Sequence, residues 1–97
     1  MDDLKKILAE MGEPATLELL AEECTELAQS ALKLARKQRG ENPTPTNKQK
    51  CIMQLLEESA DIWLCMLVLM QTDWFNTETV DLICDLKLTR WKNRMGI

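Results

Sequence analysis

A chain of 97 residues has room for one small domain spanning 1–97, and 45% hydrophobic residues mark a folded protein rather than a disordered one. A net charge of −4 opposes non-specific binding to nucleic acid, so no nucleic-acid partner is expected. Four scattered cysteines with no histidine exclude the clustered soft ligands of a zinc site and give no disulfide framework.

Asp2 or Asp3 caps a short first helix over 4–11, whose stripe is Leu4, Ile7, Leu8 and Met11 and which Gly12 ends. Pro14 suits a helix start, and a long second helix runs from there to about Arg39. Its stripe reads Leu17, Leu20, Cys24, Leu27, Ala31 and Leu34, and its basic end, Lys33 to Arg39, complements the helix dipole before Gly40. Two prolines make 40–46 a loop, and Thr46 with Gln49 has the capping-box spacing that opens a third helix to about 70 or 71. Asn76 or Thr77 caps a fourth helix over about 78–95, with Val80, Ile83, Cys84, Leu86, Leu88 and Trp91 as its apolar face.

No stretch alternates like a strand, so the fold class is all-α, a four-helix chain forming an antiparallel bundle. So small a chain with such long apolar faces is expected to complete its core by oligomerisation. Each cysteine is expected as a small buried residue, and Trp63 as core. The opening Met1-Asp2-Asp3 lacks the pattern of a secretory leader. The apolar run 62–70 is shorter than the roughly 20 residues a bilayer requires. A cytoplasmic protein with no membrane partner is therefore expected.

Acids then stand out. Glu58 and Asp61 lie three apart on the face that continues through Cys65 and Val68, where a core belongs. Glu23 and Glu26 repeat that spacing on the second helix, beside its apolar stripe. Counted outward from the 40–46 loop, the two pairs fall level to within about one turn, so four carboxylates meet across a helical hairpin. Such a group cannot ionise together without a cation, and an all-oxygen set selects a hard ion, Mg²⁺ or else Mn²⁺. A ferritin-like di-iron site needs Glu-x-x-His and falls for want of histidine. Glu22 and Glu57, one residue off the shared faces, are expected in solvent.

With Glu23-Cys24-Thr25-Glu26 and Glu58-Ser59-Ala60-Asp61 in place, the chain resembles the MazG-like, all-α nucleoside triphosphate pyrophosphohydrolases from about Leu17 to Arg94. That resemblance implies Mg²⁺-dependent cleavage of a nucleoside or deoxynucleoside triphosphate between its α- and β-phosphates. It further implies Glu23, Glu26, Glu58 and Asp61 as metal-holding and catalytic residues, and homodimers or homotetramers built from paired helices. A basic stripe on the last helix, here Lys87, Arg90 and Arg94, would contact the triphosphate, as forked guanidinium groups suit phosphate. Lys33 and Arg36 form a second basic set. The alternative is a non-catalytic helical interaction module whose apolar face binds a partner helix.

Overall fold

The computed structural model describes residues 2–41 and 47–97. Four helices follow in order: α1 (Asp3–Met11), α2 (Glu13–Arg39), α3 (Lys48–Leu69) and α4 (Thr77–Met95). No strand occurs among the described residues, so the chain is all-α as expected. The Asp2 carboxylate accepts from the Lys5 N–H and begins α1. Gly40, in the left-handed region at φ 72°, ends α2, with Pro14 in that helix's first turn. The Asn76 side chain accepts from the Thr79 N–H to begin α4. The prolines of 42–46 and Thr46, expected as loop and cap, lie outside the described residues. The cap present is Asn47, which accepts from the Lys50 N–H at 2.9 Å.

Most inter-helix packing lies between α2 and α3, which run antiparallel. Two ties set their register. Lys33 Nζ donates to Gln54 Oε1 near the loop, and Trp74 Nε1 donates to Glu13 Oε1 at 2.6 Å across the open end. Covered positions on α2 include the series Thr16, Leu20, Glu23, Leu27, Ser30, Leu34 and Lys37. On α3 and just past it they include the series Cys51, Leu55, Glu58, Ile62, Cys65, Leu69 and Thr72, with Val68 buried beside it. Both series step by four and three alternately, which is the heptad seam of a coiled-coil pair. Along each helix, Leu or Ile alternates with a small, polar or charged residue.

This pattern shifts the expected α2 stripe by one position. Leu20, Leu27 and Leu34 face α3, but Leu17, Cys24 and Ala31 are exposed, and Thr16, Glu23 and Ser30 take their places. Cys51 and Cys65 are buried as expected, whereas Cys24 lies off the seam and Cys84 lies on the uncovered α4. No disulfide joins the four. Trp63, expected in the core, is 71% exposed. It follows the seam residue Ile62 and so turns outward. There it joins Met53, Leu56, Ala60, Leu67 and Met70 in a second stripe of three-and-four spacing along the outer side of α3.

Helix α1 packs across both α2 and α3, but α4 packs against no other helix and every residue in it is exposed. At about 100° per residue, Val80, Cys84, Leu88, Trp91 and Met95 share one side of α4. Leu82 and Leu86 lie on the opposite side. Between them lie Asp81, Asp85 and Lys92 on one flank and Ile83, Lys87, Arg90 and Arg94 on the other, so the apolar residues of α4 are spread around the helix rather than confined to the one face expected. The chain exposes 7591 Å²; a compact protein of its 11.2 kDa exposes about 5,700 Å². Its radius of gyration is 17.0 Å, against about 12.5 Å for a compact fold of this length. No helix is long and apolar enough to cross a membrane, among the described residues.

Candidate metal centre

The register brings the acids together. Stepping seven residues from Lys33 down to Glu26 on α2 matches seven from Gln54 up to Asp61 on α3, so Glu26 and Asp61 are level. Glu23 and Glu58 are both seam positions and half-buried, while Glu26 and Asp61 edge the seam and are exposed. One carboxylate oxygen each from Glu23, Glu26 and Glu58 lies within 4.8 Å of the others. Asp61 is not a member of that trio, but stands close enough to act on both Glu23 and Glu58. Glu22 and Glu57 are exposed, as expected.

Burial pushes the Glu23 carboxyl above its ordinary value, and the charges of Glu26 and Asp61 push it further. Glu58 is raised in the same way, by burial first and then by Glu26, Asp61 and Glu57. Every influence on these two groups is burial or another carboxylate, so nothing among them offsets the charge. A proton shared between neighbouring carboxyls satisfies them in part; fully ionised, they hold only acceptors. The Oε2 atoms of Glu23 and Glu58 are buried and have no hydrogen-bond partner. A buried acceptor with no donor costs free energy that a cation or donor recovers. Three converging oxygens of a hard base fit a hard, oxygen-seeking divalent ion, Mg²⁺ or Mn²⁺.

Next to the acids is a pocket of about 120 Å³ between α1 and the hairpin. Ile7, Met11, Leu19, Leu64 and Val68 give it apolar walls, with Thr16 and Cys65 among the lining. Glu23 and Asp61 also line it, so it opens onto the acidic cluster. The Cys65 thiol at its base is pushed up by burial and by the charges of Glu23 and Asp61, and stays protonated and inert. Leu19 and Leu64 were not singled out from the sequence. They lie off the seam and gain significance only once α1 crosses the hairpin.

Lys87, Arg90 and Arg94 are not brought to the acids within one chain, since α4 packs on neither α2 nor α3. Lys33 pairs with Gln54 near the loop end rather than reaching the cluster. Fold and cluster together define an all-α helical hairpin with a carboxylate-lined site. No protein-family model, curated protein or solved structure matches the chain.

Proposed function

We propose that this chain is a Mg²⁺-dependent nucleotide pyrophosphohydrolase acting on a nucleoside or deoxynucleoside triphosphate. One observation carries the reading: three carboxylates from two helices converge within 4.8 Å, with buried oxygens that lack any donor. Glu23, Glu26 and Glu58 hold the ion. When bound, Mg²⁺ supplies positive charge to a phosphate oxygen and acidifies an adjacent water. Asp61, level with Glu26 but outside the trio, takes the proton from the water that attacks the α-phosphate. The α–β anhydride bond breaks, and pyrophosphate leaves with the bridging oxygen. The apolar pocket beside Glu23 and Asp61 receives the flat faces of the base.

Self-association belongs to the same reading. The excess exposed surface of about 1,900 Å² per chain is what an obligate homodimer covers. The outer stripe of α3 and the side of α4 that carries Val80, Cys84, Leu88, Trp91 and Met95 are where a second copy docks. Lys87, Arg90 and Arg94 then serve a neighbouring copy's site, neutralising the departing pyrophosphate.

The test is pyrophosphate release by the purified chain from a panel of ribo- and deoxyribonucleoside triphosphates with Mg²⁺. Turnover of at least one is expected, and none from a folded protein would overturn the activity. The exposed apolar stripes also suit the other reading, a helical interaction module. That reading predicts no rise in melting temperature with Mg²⁺, whereas a bound ion stabilises by about RT ln(1 + [L]/Kd).

A further inference from the structure

Ser30 is the other polar side chain left without a partner inside the hairpin. Its residue is 2% exposed, and its Oγ is buried with no hydrogen bond. By contrast, Thr16, Thr25, Ser59 and Thr89 each donate to the carbonyl four residues earlier. Register places the missing acceptor. Three residues from Lys33 to Ser30 on α2 match three from Gln54 to Glu57 on α3, which puts Ser30 level with Glu57 and Glu58. Of those two, Glu58 occupies the seam, and its Oε2 is the buried acceptor that lacks a donor. An unused donor and an unused acceptor thus occupy facing seam positions at one level.

We propose that Ser30 is a positioning residue for Glu58: the two are not hydrogen-bonded in the metal-free chain, and when a divalent ion draws on Glu58 the Ser30 Oγ–H donates to one carboxylate oxygen and leaves the other for the ion. The inference rests on the metal reading above. An ion held by Glu23, Glu26 and Glu58 needs the Glu58 carboxylate ionised and fixed in rotation, and a buried hydroxyl donor favours both. Outer partners of this kind orient metal-binding carboxylates, and their loss typically weakens metal affinity by about 10–100-fold.

The experiment measures Mn²⁺ affinity by paramagnetic resonance titration of the full chain as wild type, Ser30→Ala, Ser30→Thr and Ser59→Ala. Ser30→Ala is expected to lose about 10–100-fold in affinity. It should keep the metal-free melting temperature, because an unsatisfied buried hydroxyl adds no stability. Ser59→Ala removes a hydroxyl one residue from Glu58 that is already satisfied by Leu55, and is expected to bind like wild type. Ser30→Thr retains the donor and keeps most of the affinity, and it carries the test should Ser30→Ala fail to fold. Wild-type affinity in Ser30→Ala, or an equal loss in Ser59→Ala or Ser30→Thr, overturns the role of Ser30 and leaves the metal site standing. A wild-type chain that binds no Mn²⁺ overturns both.

Discussion

The α2–α3 hairpin and α4 are made of similar residues and behave oppositely. In the hairpin, covered residues recur at four-and-three spacing on both helices, so the Leu and Ile residues of the seam meet one another within the same chain. In α4, apolar residues are spread around the helix among charged ones, and none is covered. A lone helix of 19 residues is marginal in water. No residue of α4 packs on another helix, whereas α2 and α3 pack against each other along their length. The hairpin can hold polar or charged groups at six of its fourteen seam positions, because its Leu and Ile positions carry the packing.

Leu69→Ala breaks this contrast most strongly. Leu69 is 1% exposed, so its truncation should cost about 2–5 kcal/mol and lower the melting temperature of the whole chain, measured calorimetrically. Next comes Trp63→Asp on the outer stripe. For an isolated hairpin it is nearly neutral, but across an interface it should remove about 2 kcal/mol or more of association energy. Size-exclusion chromatography with light scattering should show wild type as an oligomer and the variant as a monomer; an unchanged mass removes this stripe from the interface.

Glu58→Gln should weaken Mg²⁺ binding by about 10–100-fold or more and abolish pyrophosphate release. The metal-free fold should be no less stable, since one of several repelling charges is gone. Full activity in that variant would remove Glu58 from the site. The smallest effect is in pH. Glu23 and Glu58 are raised from 4.5, so the folded chain retains protons there that the unfolded chain has released. Their contribution to stability is complete below 4.5 and is lost as pH rises through the folded values. Metal-free protein should thus gain from these groups as pH falls from neutral, while with saturating Mg²⁺ the trend reverses because protons compete with the ion. Melting curves with chelator and with Mg²⁺ should diverge in this manner.

Helix bounds were legible because their signals are local: Asp2, Gly12, Pro14, Gly40, Asn76 and Gly96 act within one turn of themselves. The acid pairs were legible because their spacing and the loop count bring Glu23, Glu26, Glu58 and Asp61 to one region. The seam was not, because four of its seven α2 positions are Thr16, Glu23, Ser30 and Lys37, which hydropathy assigns to solvent. Trp63 and Cys84 illustrate the same blindness from the other side. An apolar residue advertises that it will be covered without saying by which chain, and a single sequence cannot tell a core face from a docking face.

Gly12, at φ 85°, is the one residue between α1 and α2, and it sets the angle at which α1 crosses the hairpin. The pocket wall contributed by Ile7 and Met11 therefore comes from a different stretch of chain than the acids it adjoins. Substitutions in α1 can reshape what the pocket admits while leaving Glu23, Glu26 and Glu58 where they are. The shape of that pocket and the acids beside it are thus set in part by separate stretches of the chain.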